Sequence, residues 1–100
     1  MNIIHQIVFQ LGEEEVLWLL DTACGKLAQA AHEYRLVRGT KSQAGKTGDA
    51  KAALLEEIAD VSLYLTALGV DTGKDRMKIQ AEVDRKTRRW AERLGIEAER

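Results

Sequence analysis

A chain of 100 residues is the size of one compact domain with a modest core, which assembly into an oligomer would make easier to complete. Its 45% apolar and 31% charged residues are ordinary for a soluble helical or globular protein, and a formal net charge of −1 gives no bulk attraction to nucleic acid or to an anionic membrane. The single cysteine, Cys24, cannot form an internal disulfide, and the sequence shows neither a secretory leader nor an 18-residue apolar run, so the expectation is a cytoplasmic protein with no membrane partner.

No proline occurs, and the glycines gather between apolar-periodic segments, a pattern that predicts an all-α chain of four helices with glycine-marked ends. The first runs from about Asn2 to Leu11, with Ile3, Ile4, Ile7, Val8 and Leu11 at helical spacing and Gly12 as its stop. The second, from about Glu13 to Val37, opens on Glu13, Glu14 and Glu15, acids that suit the positive end of a helix dipole. Its inward stripe is Val16, Leu20, Ala23, Leu27, Ala30 or Ala31, and Tyr34. Cys24 is expected to pack beside Ala23, Leu27 and Ala28 rather than act as a nucleophile. Gly25 costs roughly 1 kcal/mol against alanine inside a helix, and a close approach of another helix would account for it.

The stretch "RGTKSQAGKTGD", Arg38 to Asp49, reads as a polar loop. A third helix follows from about Ala50 to Leu68, with Leu54, Ile58, Val61, Leu65 and Leu68 inward and Gly69 ending it. After a turn at "VDTGKD" comes a fourth helix, from about Asp75 to Leu94, with Ile79, Val83, Thr87, Trp90 and Leu94 inward, and then a frayed tail. The whole reads as a single domain over residues 1–100.

Within the loop, "GTKSQAGKT" invites comparison with a phosphate-binding P-loop and fails on spacing. Five residues separate Gly39 from Gly45 where that motif has four, and no strand precedes it. The segment is therefore read as a connector with Lys41 and Lys46 in solvent, although in a helical nucleotide enzyme such a loop could still close over a triphosphate.

The stretch that asks for a partner is "LLEEIADVSLYL", Leu54 to Leu65, where Glu56, Glu57 and Asp60 interrupt an apolar helix. Ionised carboxylates are costly to bury unless a cation or donor meets them. Glu57 and Asp60, three apart, project from neighbouring positions of one face and make half of a hard-cation site. The plain alternative is a pair of solvated surface acids.

The context of that pair is more telling. "LLEEIADVSLYLTAL", with a basic helix after it and a long helix ending "KLAQAAHEYRLVRG" before it, resembles the MazG-like nucleotide pyrophosphohydrolases over nearly the whole chain, "EEIAD" being the most specific part. The resemblance implies an all-α bundle, dimeric or tetrameric, in which a Glu-x-x-Glu pair on the second helix and a Glu-x-x-Asp pair on the third bind Mg²⁺. In that family the metal activates water for attack on a nucleoside triphosphate, releasing a nucleoside monophosphate and pyrophosphate.

Carried onto this chain, the Glu-x-x-Asp pair falls on Glu57 and Asp60, with Glu56 adjoining. The Glu-x-x-Glu pair falls on Ala23 and Lys26 within "TACGKLAQAA", so one ligand is a methyl group and the other an ammonium. Asp21 lies roughly on the opposite side of the helix and does not replace them. The metal site is therefore expected to be incomplete, with Mg²⁺ a cofactor only if activity survives. Lys26 is expected to take the metal's place by pairing with Glu57 and Asp60 across the two helices; in the alternative it reaches solvent and the acids are hydrated.

On the fourth helix, Lys86 and Arg89 are the candidate substrate-binding groups within the cluster Arg85, Lys86, Arg88, Arg89 and Arg93. The plain reading is a solvated face pairing with Glu82, Asp84 and Glu92, and nucleic-acid binding is not expected without a recognition motif. Glu33, on nearly the same face as Lys26, and its neighbour His32 could extend a pocket or simply pair at the surface. His5 has no partner visible in the sequence. Trp18 and Trp90 are core, subunit interface, or a platform for a base. Two functions remain open: a nucleotide pyrophosphohydrolase with a remodelled metal site, or a non-catalytic descendant that binds a nucleotide or a protein partner. A homodimer or higher homo-oligomer is expected in either case, because each short chain leaves apolar faces to cover.

Overall fold

A computed structural model describes residues 2–38 and 44–97. The regular structure is four helices, α1 (Ile3–Leu11), α2 (Glu13–Arg38), α3 (Ala44–Leu68) and α4 (Gly73–Arg93), with no strand among the described residues. The chain divides into two units, Met1–Gly69 and Val70–Arg100. None of the described helices is long and apolar enough to cross a membrane.

In the first unit, α1 begins where the Asn2 side chain accepts a hydrogen bond from the His5 N–H at 2.9 Å, satisfying one of the donors that a helix start leaves free. It ends at Gly12, whose φ of +88° is open to glycine and strained for any other residue. The Gly12 N–H closes α1 onto the Val8 carbonyl at 2.8 Å, while its own carbonyl receives the Val16 N–H at 3.3 Å and starts α2. One residue thus turns the chain between two helices.

α2 and α3 pack as an antiparallel pair, and α1 lies against both. The late residues Ala31 and Tyr34 of α2 share a cleft with Leu54 of α3, while the early residues Val16 and Leu19 share a cavity with Leu63, Tyr64 and Ala67. On α2 the buried residues are Val16, Ala23 and Ala30, spaced by seven, with Leu20, Leu27 and Tyr34 half-buried beside them, which is the stripe its periodicity predicts. Of the two alternatives at its end, Ala30 is inward and Ala31 is exposed. Where three helices meet, Val16, Leu19, Ile4, Ile7, Leu11, Leu63, Tyr64 and Ala67 surround a cavity of about 50 Å³.

Several expectations are corrected. α3 starts at Ala44 rather than near Ala50, so the second half of the expected loop is helical. Thr47, Ala50 and Leu54 are half-buried at spacings of three and four, so the added turns carry an inward face that offsets the propensity cost of Gly45 and Gly48. Lys41 and the first half of the P-loop-like stretch lie outside the described residues. Cys24 is exposed, not packed, because one residue beyond the buried Ala23 the helix has turned by about 100°. Gly25 marks no close approach: a Cβ built there would meet nothing within 4 Å. On α3, Ile58 is 43% exposed while Glu57 and Asp60 are half-buried, so the inward face is turned toward the acids and away from the expected Ile58. Apolar residues lie on nearly every side of α3, and its hydropathy pattern alone does not select the face.

The second unit holds α4, which begins two residues before the expected Asp75. Arg85 and Glu82 pair at 2.7 Å, and Gln80 donates to Asp84 at 2.9 Å, one turn apart along the exposed surface. The tail is more ordered than expected at its start: Gly95, at φ +73°, donates to the Glu92 carbonyl and Ile96 to that of Ala91, which stops the helix. Ile79, Val83, Thr87, Trp90 and Leu94, expected inward, are all exposed. A periodic apolar stripe says which face requires a cover and does not say what supplies it, and this unit has no second helix to do so.

Candidate functional site

The packing of α2 on α3 brings three of the four compared positions together. Ala23, Lys26 and Asp60 line one small cleft of about 60 Å³ with Leu19, Thr22 and Tyr64. Ala23 is 4% exposed and Asp60 half-buried. Glu57, one turn before Asp60 on the same face, has its Oε2 buried with no hydrogen-bond partner among the described residues. That is an uncommon condition for a carboxylate, since an unsatisfied buried polar group costs on the order of 1–3 kcal/mol. Neither Glu57 nor the exposed Glu56 lines the cleft.

The expected ion pair is not formed. Lys26 lines the cleft yet is exposed, and among the described residues it pairs with neither Glu57 nor Asp60. It sits at the edge of the inward face of α2, three residues past Ala23, where a long side chain can lay its stem along the seam and keep its charged head hydrated. The Thr22 hydroxyl is committed to the Trp18 carbonyl at 3.0 Å and offers the acids no donor.

These residues do not fit a four-carboxylate Mg²⁺ site. Octahedral Mg²⁺ takes oxygen ligands, and here α2 offers a methyl group and an ammonium in the cleft that Asp60 lines. Among the described residues, no group of three or more His, Cys, Asp or Glu side chains is placed to hold a metal ion.

A second concavity lies toward the other end of the same helix pair. It has a volume of about 420 Å³ and is lined by Ala31, Tyr34, Arg35, Arg38 and Leu54. The Arg38 Cζ and the Lys51 Nζ each stand 5.4 Å from the centre of the Tyr34 ring, one reaching it from α2 and the other from α3. Arg35 Nη2 lies 3.1 Å from His32 Nδ1 and donates to it. The sequence reading passed over this cluster, although the signal was present: neither arginine, nor Lys51, has an acid three or four residues away on its own helix.

On α4 the candidate residues Lys86 and Arg89 are exposed. Arg89 lines a shallow concavity of about 300 Å³ with Arg85, Arg88 and Glu92, and Lys86 does not. Arg85 is already engaged. Its hydrogen bond and charge hold the Glu82 carboxyl below its ordinary range, and the same contact raises the Arg85 guanidinium. Glu33 accepts a long hydrogen bond from Gln29 at 3.5 Å and pairs with no lysine or arginine among the described residues. His5 contributes its backbone N–H to the Asn2 cap. Trp18 is 60% exposed and lies outside the core of the first unit, and Trp90 is 68% exposed on α4. No protein-family model, curated protein or solved structure matches the chain.

Proposed function

We propose that the chain is a MazG-like helical protein derived from nucleoside triphosphate pyrophosphohydrolases, with catalysis lost or weakened because Ala23 and Lys26 stand where the family has its first acidic pair. The observation that carries this reading is the Glu57 carboxylate at the α2–α3 seam, with one oxygen buried and unpartnered beside Asp60. A seam selected only for stability has no use for such a group, whereas a seam inherited from a cation site does. Beside it, Lys26 and the buried Ala23 share one cleft with Asp60, so the two altered positions stand next to one of the two retained acids.

The test is pyrophosphate release from a panel of nucleoside triphosphates with Mg²⁺ and Mn²⁺, with the unmodified protein beside the double variant Ala23→Glu, Lys26→Glu. The double variant should turn over at least about 10–100-fold faster than the unmodified chain, the usual range for restoring groups that serve a metal site. Robust turnover by the unmodified protein that disappears in Glu57→Ala defeats the weakened-catalysis reading.

A second reading, a non-catalytic module that works through a protein partner or through its own copies, is favoured by a separate observation. Leu55 and Ile58 of α3 are 53% and 43% exposed, and Met77, Trp90 and Leu94 of α4 are exposed as well. A homodimer or higher homo-oligomer would cover such residues. Light scattering across a concentration series tests this: a particle of monomer mass at every concentration removes self-association from the reading.

A further inference from the structure

The cleft formed by Tyr34, Arg35 and Arg38 combines three features that are unusual together. Among the described residues its lining carries two guanidinium groups and no carboxylate, and neither arginine has a carboxylate partner. A third cation, Lys51, comes from the other helix to the same tyrosine ring that Arg38 contacts, so like charges converge on one aromatic side chain. The rest of the lining, Ala31 and Leu54, is apolar. The contrast lies on α4, where Arg85 is held by Glu82, three residues before it. Basic residues in the last turn of α2 suit the negative end of the helix dipole, which explains their tolerance there. It does not explain why Lys51, well inside α3, joins them with no acid at pairing distance.

We propose that this cleft is an anion site for a small organic phosphate, with the Arg35 and Arg38 guanidinium groups on the phosphoryl oxygens and Ala31, Leu54 and the Tyr34 ring against the organic part. Forked guanidinium donors match phosphoryl geometry, and two of them on successive turns can grip one group from the same side. Lys51 adds a point charge beside the Tyr34 ring. The concavity, of about 420 Å³, lies open to solvent, so a phosphoryl group would be held at the surface. Binding of this kind needs no metal and no turnover, so it stands independently of the pyrophosphohydrolase reading and can fail or succeed alone.

The experiment is calorimetric titration of the full chain at low salt with EDTA present, using ATP, inorganic triphosphate and adenosine as separate probes. ATP should bind, with an affinity that falls steeply as salt is raised. The double variant Arg35→Ala, Arg38→Ala should bind ATP at least about tenfold more weakly, since each lost charge-assisted hydrogen bond is worth about that factor or more. Both residues are exposed, so the fold should survive, and circular dichroism confirms it. The variant Arg35→Lys, Arg38→Lys should fall between, because charge is kept and the fork is lost. A charge-matched control, Lys74→Ala with Lys78→Ala on α4, should leave binding unchanged. Absence of ATP binding overturns the proposal, as does an equal loss in the control, which would mark bulk charge. Adenosine binding as tightly as ATP overturns the phosphate part, and inorganic triphosphate binding as tightly overturns the organic part.

Discussion

At the scale of single residues, Glu57 and Ala23 oppose one another in what each contributes to the seam. Replacing Glu57 by Met removes a buried oxygen with no donor and supplies apolar volume in its place, so the chain should become more stable by about 1–3 kcal/mol, read as a higher melting temperature. A lower melting temperature would mean that the carboxylate has a partner after all. Ala23→Glu alone should do the reverse, because at a position only 4% exposed it adds both bulk and a second unpaired charge; a loss of at least about 2 kcal/mol is expected in urea unfolding. The relation of Glu57 to Asp60 was legible in the sequence, since a spacing of three on a helix fixes shared facing whatever surrounds it. Whether Lys26 would pair with them was not. That depends on where a flexible four-carbon stem ends, and the free energy of hydrating an ammonium competes closely with an ion pair at a partly open seam.

At the scale of helices, Gly25 and Asn2 give the cleanest expectations. Gly25 lies inside α2 with open space around it, so Gly25→Ala should stabilise the protein by about 0.5–1 kcal/mol in denaturant unfolding. Asn2→Ala should cost about 1 kcal/mol by removing the acceptor for the His5 N–H. On α4 the Glu82 carboxyl is held below its ordinary value of 4.5, first by the Arg85 hydrogen bond and then by its charge. A depressed carboxyl contributes to helix stability above its unfolded value, and that contribution is lost as pH falls through the folded one. Helix content followed through the acid range at low salt should therefore fall less in Glu82→Gln than in the unmodified chain, by a small margin because the pair is fully exposed. The helices themselves were readable because hydropathy period and glycine placement agree over long stretches. The start of α3 was not, because the half-buried Thr47 and Ala50 extend it through two glycines that local propensity reads as breaks.

At the scale of the molecule, the first unit joins its three helices through a narrow seam. Val16, Ala23 and Ala30 are the buried apolar residues among those described, and two of them are alanines with little area to remove from water. Val16→Ala should therefore be felt strongly, with a loss of about 2 kcal/mol in thermal or urea unfolding, since it withdraws two methyl groups from the place where α1, α2 and α3 meet. A protein held by so little interior should also gain stability from self-assembly, and its melting temperature should rise with concentration if copies cover one another's apolar faces. The sequence announced those faces by their periodicity. It was silent on what covers them, because hydrophobic burial is non-directional and a stripe fits a neighbour of its own chain as well as another.

The outward thiol of Cys24 has a practical bearing on every one of these questions. It is the chain's one cysteine, it stands in solvent, and it adjoins Ala23 on the helix that faces Glu57 and Asp60. A maleimide fluorophore would attach there once per molecule without any engineered position, giving an optical reporter whose brightness and tumbling register arrivals at the seam and the docking of a second copy alike.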